Sequence, residues 1–262
     1  MIAGRLAVLL PPHPTPETQE VAERLARELA CEIQPRRGRT VSGLLREGYE
    51  GVVVVSPDRV AYHRVPGAEP FFYHPGLAKN RIGCLRRGEP DTLVRAAELG
   101  PGMTFLDATL GKATDATVAA HVVGDEGHVD GIEWHPVVAA VVREGLRRTA
   151  VEGRALALAM ARVNVTTGDH EALLSALPDG AYDVVYFDPF FAEQVEGSAD
   201  MTPLRQVGQH APVTAVATQQ AQRVARSRVV HKVRVDRAQP VYLEGWELVR
   251  GKRRIGYRVW HA

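Results

Sequence analysis

Short apolar runs, each closed by an acid or a turn, recur through the second half of the chain. They are Met103-Thr104-Phe105-Leu106 before Asp107, His128 to Ile132 before Glu133, Arg162 to Thr166 before Gly168-Asp169, and Asp183-Val184-Val185-Tyr186-Phe187 before Asp188. Runs of this length bounded by turn residues predict buried strands. Between them lie helical patterns: Ala116–Val123 with Thr114 or Asp115 as cap, a helix opening at His135-Pro136, and one running to Leu177 behind Asp169. Strands alternating with helices predict an α/β fold, a mainly parallel sheet with helices on both faces. The first part of the chain repeats the alternation on a smaller scale. Leu6–Leu10 reads as a strand, Thr15–Ala30 as an amphipathic helix with Val21, Leu25 and Leu29 inward, and Val52–Val55 as a buried strand before Ser56-Pro57-Asp58. The expected organisation is a small α/β accessory domain over 1–75, a linker over 76–88, and a ligand-binding domain over 89–262. The last of these starts at Glu89-Pro90-Asp91 and ends in a hairpin of Tyr242–Val249 and Ile255–Trp260.

Ligands of open α/β sheets bind beyond the carboxyl ends of the strands, so four successive strands ending in an acid form a candidate site. The turn Ala108-Thr109-Leu110-Gly111-Lys112-Ala113-Thr114-Asp115 has the strand–turn–helix form of a nucleotide-type site, whose backbone at Thr109 and Gly111 faces a ligand. It lacks the G-x-G-x-x-G spacing of a pyrophosphate cradle. Asp107 suits a cation better than a pyrophosphate, as in S-adenosylmethionine with its sulfonium and α-amino groups. Glu133 offers two acceptors to a ribose diol, Trp134 a ring to flank adenine, and Asp169 an acceptor for the adenine amine. Each acid has a plainer role available, as a helix cap or a solvated side chain. Asp188-Pro189-Phe190-Phe191 places acceptors beside flat rings, which suits a planar base carrying an exocyclic amine.

These residues resemble a class I S-adenosylmethionine-dependent methyltransferase, and in detail the bacterial small-subunit (16S) ribosomal RNA guanine-N2 methyltransferases. The likeness is carried by Phe105-Leu106-Asp107-Ala108-Thr109, Thr114-Asp115, Glu133 with Pro136-Val137-Val138-Ala139-Ala140, Asp183 to Pro189, and Val229-Val230-His231-Lys232. A segment from Gly76 to Gly88, with Arg81, resembles the family's entry into the catalytic domain. The resemblance implies a Rossmann-like class I methyltransferase sheet and an S-adenosylmethionine cofactor. It implies cofactor contacts at Thr114, Asp115, Glu133, Trp134, Asp169, His170 and Asp188, and an RNA substrate. The chain departs from the family where an Ala-Gly-x-Gly-Arg-Asp turn is replaced by Leu110 to Asp115, and where Asp-Pro-Phe-Phe stands for Asp-Pro-Met-Phe-Pro.

Composition narrows the rest. A chain of 262 residues with 45% hydrophobic residues can bury one good α/β core and a small accessory unit. No window matches the roughly 20 apolar residues of a membrane span. Two distant cysteines, Cys31 and Cys84, argue against zinc and a disulfide framework and point to a cytoplasmic protein without a metal. Net charge is only +1, so attraction to RNA has to come from local clusters: Arg36-Arg37-Gly38-Arg39, Lys79 to Arg81 with Arg86-Arg87, and Arg250 to Arg254. The Phe71-Phe72-Tyr73 triplet stacks on a base or, more commonly, docks on the core. Residues 192–212 have the character of a loop closing over the acceptor.

The expected activity is methyl transfer to an exocyclic amine, guanine N2 in ribosomal RNA first. Asp188 and the Pro189 carbonyl would accept the amine hydrogens, while Phe190 or Phe191 holds the base flat. The alternatives are adenine-N6 or cytosine-N4 methylation on DNA or RNA, a nicotinamide-dependent oxidoreductase, and a non-catalytic RNA-binding protein that kept the fold. Oligomeric state is not legible.

Overall fold

Leu6-Ala7-Val8-Leu9 and Gly51 to Val55 are apolar on both faces, and the structure, a computed structural model, pairs them side by side in a first sheet. It describes residues 4–189, 213–251 and 253–262, so Phe190, Phe191 and the 192–212 segment lie outside the described residues. Two units are distinguished, one from the residues up to 74 with 135–150, the other from 75–134, 151–189 and 213–262.

The first unit contains β1 (Leu6–Leu9), α1 (Pro16–Glu28), β2 (Glu32–Gln34), α2 (Val41–Arg46), β3 (Gly51–Val55), β4 (Val60–His63) and β5 (Phe71–Phe72), joined by α6 (Pro136–Arg148) from later in the chain. The strand order is β2-β1-β3-β4-β5, with β1 parallel to β2 and β3 and the β3–β4–β5 edge antiparallel. Thr15 caps α1 through a reciprocal pair with Thr18, and Pro16 occupies the first helical turn, where its missing N–H costs nothing. Arg24 of α1 reaches Glu144 of α6 with two hydrogen bonds of 2.8 Å. This satisfies a carboxylate that is only 2% exposed. Phe71 and Tyr73 are buried and Phe72 is half-buried.

The second unit contains α3 (Gly76–Arg86), α4 (Thr92–Ala97), β6 (Thr104–Asp107), α5 (Thr114–Val123), β7 (His128–Glu133), α7 (Arg154–Ala161), β8 (Val163–Thr167), α8 (His170–Ala176), β9 (Tyr182–Phe187), α9 (Ala215–Val224), β10 (Ala225–Arg234), β11 (Glu247–Arg250) and β12 (Ile255–His261). The segment expected as a linker is therefore mostly the helix α3. The sheet runs β11-β12-β10-β9-β6-β7-β8. From β8 to β10 it is parallel, and β12 lies antiparallel to both β10 and β11. The hairpin expected from Tyr242 begins later, because Val241–Leu243 is a 3-10 turn behind Pro240 and the strand opens at Glu247. Alternation along β9 divides the layers. Val185 and Phe187 join Leu174, Ala217 and Ala221 of α8 and α9, while Tyr186 points the other way and meets Asp115 of α5. The chain leaves β6 toward β7 and β8, then returns to place β9 on the opposite side of β6. That reversal opens a crevice at the carboxyl ends of β6 and β9.

Candidate active site

The turn after β6 is built backward from the sheet. Gly131 of β7 has no side chain where Leu110 lies, and a methyl group there would come within 2.3 Å of the leucine. Leu110 can therefore sit over β7, and its N–H bonds Ile132 O at 2.9 Å. Gly111 then turns with φ +51° and Ala113 with φ +57°. Ala113, not Thr114 or Asp115, precedes the first helical residue, and no side chain caps α5. The expected cap fails because Asp115 is claimed by other partners. A left-handed alanine costs about 1 kcal/mol, similar to what its buried methyl group returns. This turn keeps glycine-like backbone geometry without the family's second glycine.

Asp107 closes β6 at 1% exposure, accepting the Thr109 N–H at 3.1 Å with no cationic side chain paired to it among the described residues. Burial, reinforced by the nearby Asp115 and Asp188 charges, pushes its carboxyl well above the usual range. Thr109 ties the ends of two strands together, its hydroxyl oxygen accepting the Asp188 N–H at 2.6 Å.

Asp115 is a node rather than an open ligand. One oxygen accepts from Arg81; the other accepts from the Tyr186 hydroxyl at 2.8 Å and from Lys232 Nζ at 3.3 Å. Burial alone would raise its pKa, but Lys232 and Arg81 prevail and hold it below the usual range. Arg81 in turn clamps Asp91 with bonds of 2.8 and 2.9 Å, and Asp91 caps α4 through Leu93 and Val94. Lys232, from β10, also bonds Asp188 Oδ2 at 2.7 Å. Its neighbour His231 faces the other layer, against Phe187 and Tyr242, and burial lowers its pKa to about 4. Asp188 keeps 32% of its side chain exposed at the crevice, and Pro189 beside it is half-buried.

Glu133 closes β7 at 6% exposure, and its Oε2 accepts the Gly111 N–H at 3.0 Å. Trp134 follows with 39% of its surface exposed. Asp169 caps α8 through Ala172 N at 2.9 Å, and His170 is buried edge-on to Phe187. The structure thus brings Asp107, Thr109, Asp115 and Asp188 into one bonded cluster and joins Glu133 to Gly111. For Thr114 it shows only the first position of α5. Sequence reasoning quoted Lys232 and Arg81 within family segments but gave neither a place in the site. Arg81, expected in a basic surface cluster, is instead spent on Asp91 and Asp115. Other members of those clusters are paired too: Arg39 with Glu47, Arg87 with Glu89 and Arg254 with Asp236. Among the described residues no helix is long and apolar enough to cross a membrane, and no group of three metal-ligating side chains gathers.

A family described as "Putative SAM-dependent methyltransferase" matches residues 73–247. The uncharacterized protein YpiP of Bacillus subtilis is 38% identical over 220 residues, covering 84% of this chain and 85% of its own. Ribosomal RNA small subunit methyltransferase J of Thioalkalivibrio sulfidiphilus is 31% identical over 236 residues, covering 86% of each. A crystal structure of a SAM-dependent methyltransferase from Neisseria gonorrhoeae superposes with a TM-score of 0.68 at 20% identity, over 97% of this chain and 95% of that one, and shares the fold. The chemistry of the crevice agrees with that donor, because a buried carboxyl with no cationic side chain paired to it among the described residues stands at the end of β6 and a second carboxylate stands at the end of β7. A Rossmann-like sheet, acids at its carboxyl edge and a family match over most of the chain lead to one conclusion: this protein belongs to the SAM-dependent methyltransferase family and uses S-adenosylmethionine.

Proposed function

We propose that the enzyme methylates an exocyclic amine of a nucleobase in ribosomal RNA, with guanine N2 as the acceptor. The observation that carries this reading is Asp188, a partly exposed carboxylate at the crevice, ion-paired to Lys232 and followed by the Pro189 carbonyl. Relatives named as ribosomal RNA small subunit methyltransferases support RNA as the substrate. S-adenosylmethionine supplies an electrophilic methyl group on a positively charged sulfur. Asp107, Glu133, Trp134 and the Thr109–Gly111 backbone would hold it, with Thr114, Asp169 and His170 at the margin. An aromatic amine is a weak nucleophile because its lone pair is delocalised into the ring. Asp188 and the Pro189 carbonyl would accept its two hydrogens, orient the nitrogen and stabilise the positive charge that develops on it. The amine nitrogen would gain the methyl group as its bond to sulfur breaks, the sulfur leaving as a neutral thioether, and would lose one proton, which Asp188 or water takes. The first unit would position the RNA.

The test is transfer of a labelled methyl group to unmodified small-subunit ribosomal RNA, followed by digestion to nucleosides. N2-methylguanosine is expected. N6-methyladenosine or N4-methylcytidine would move the enzyme to the rival acceptors, and donor binding without labelled RNA would favour the non-catalytic reading.

Asp107 gives a second test. Its raised pKa means that the empty site favours the neutral acid, whereas a cationic ligand favours the carboxylate. Donor affinity measured by calorimetry should therefore tighten as pH rises toward that pKa and level off above it, with proton release on binding. The same group lowers stability as pH climbs from the ordinary carboxylate range, since the folded state binds its proton more tightly than the unfolded chain. Asp107→Asn keeps the neutral shape. It should unfold at higher temperature, by about 1 kcal/mol in stability, yet bind the donor about tenfold more weakly and without the pH dependence.

A further inference from the structure

Lys232 lies at the centre of the cluster, and its placement bears on which base the site accepts. Its ammonium is 2.7 Å from Asp188 Oδ2 and 3.3 Å from Asp115 Oδ2, and its side chain is 21% exposed. Asp115 is itself shared with Arg81 and Tyr186, so Lys232 is the cation that bonds Asp188 directly. Lys232 bonds Oδ2 of Asp188, and about a third of the Asp188 side chain is exposed at the crevice.

The edges of the candidate bases differ beside their amines. Guanine presents N1–H next to its N2 amine, two donors in a row. In adenine the N6 amine adjoins the N1 acceptor, and in cytosine the N4 amine adjoins the N3 acceptor. An ionised carboxylate only accepts, whereas a protonated one offers a donor and an acceptor side by side. Asp188 therefore matches guanine when ionised and the other two bases when protonated. Building on the reading of the activity given above, we propose that Lys232 is a specificity-determining positioning residue, which fixes Asp188 as an acceptor-only carboxylate aimed at the paired N–H donors of guanine.

The surrounding groups give this role its necessity. Burial and the Asp115 charge hold the Asp188 carboxyl above its usual range, and Lys232 limits that rise. Tyr186, Asp107 and Tyr257 crowd the same space as neutral or acidic groups, and Arg81 is committed to Asp91 and Asp115. Two carboxylates keep Lys232 itself charged despite its burial. Without it, Asp188 would retain its proton to higher pH and present a donor where guanine also presents one.

The experiment compares the intact chain with Lys232→Met, Lys232→Arg and Lys232→Met/Asp188→Asn. Asp188 is titrated by carbon NMR of labelled aspartate carboxyls and assigned by its absence from the double variant. In parallel, methyl transfer to unmodified small-subunit ribosomal RNA is followed across pH by nucleoside analysis. In Lys232→Met the Asp188 midpoint should rise by about one unit or more. Guanine methylation at pH 7 should fall about 100-fold and partly recover at higher pH, with donor KM changed less than about threefold. Adenine or cytosine methylation should gain relative to guanine. Lys232→Arg, which keeps the charge, should keep the midpoint of the intact chain and the guanine preference. An unchanged Asp188 midpoint in Lys232→Met overturns the proposal, as does a loss of guanine activity that is equal at every pH, the pattern of a merely structural lysine. Should circular dichroism show that Lys232→Met does not fold, Lys232→Gln carries the same readouts. If the intact chain methylates no base, the proposed activity fails while the titration still decides whether Lys232 governs Asp188.

Discussion

Asp188→Ala should lower methyl transfer about 1,000-fold at saturating donor while changing S-adenosylmethionine affinity less than about threefold. The asymmetry follows from where Asp188 sits. It follows β9 with a third of its side chain open to the crevice, and its carboxylate accepts a hydrogen bond from Lys232. The carboxylate is thus placed to act on the acceptor amine, where hydrogen bonds that strengthen as the nitrogen becomes positive count toward rate rather than binding. Folding should survive, because Lys232 retains Asp115 and is not left as an isolated charge. Single-turnover transfer and calorimetry on the same preparation check both halves. A collapse of donor affinity together with rate would make Asp188 chiefly a donor ligand.

Asp115→Ala should have the opposite signature, a loss of stability of about 4 kcal/mol at neutral pH that lowers the unfolding temperature by about 10 °C. The side chain is nearly buried and is the common acceptor of Arg81, Tyr186 and Lys232, so its removal takes from each cation one of the two carboxylates it bonds, leaving Arg81 to Asp91 and Lys232 to Asp188, and deprives the buried Tyr186 hydroxyl of its acceptor. The pH dependence carries a sign. A carboxyl held below its ordinary value contributes stability that is fully present above the ordinary range and is lost as pH falls through its folded value. Unfolding curves of the two proteins, recorded by calorimetry, should converge in strong acid and separate as pH rises toward neutrality. An unchanged unfolding temperature with lost donor affinity would return Asp115 to the ligand role that the sequence resemblance gave it.

Much of this site can be read from the chain because its acids stand at strand ends. Asp107, Glu133 and Asp188 each follow an apolar run that folds as expected, with boundaries shifted by a residue or so. Asp169 shows why such reading stops short: a cap and a ligand acceptor have the same sequence signature, and only the bond to Ala172 shows the capping contact. Lys232 was harder to place. β10 carries Arg226, Arg228, Lys232 and Arg234, a charge density that disguises a central strand. Arg234 is paired with the nearby Asp236, and the others are tolerated because each finds a distant carboxylate: Arg226 reaches Asp183, Arg228 reaches Glu98, and Lys232 reaches Asp115 and Asp188. Such partners are far apart in sequence, so no local pattern announces them. Arg81 escaped for the same reason, its guanidinium being committed to residues that lie on two later helical segments.

The membership of α6 in the first unit has a consequence for how the protein is made. Its sheet is synthesised before residue 75, but the helix that supplies Glu144 to Arg24 follows β7. The growing chain must therefore emit β6, α5 and β7 before the earlier sheet receives its last helix. During that interval β4 and β5 lack a packing partner, and Arg24 lacks its carboxylate. Folding of the two units is interleaved on the ribosome, and cutting the gene at residue 75 would yield an amino-terminal product that never acquires a complete core.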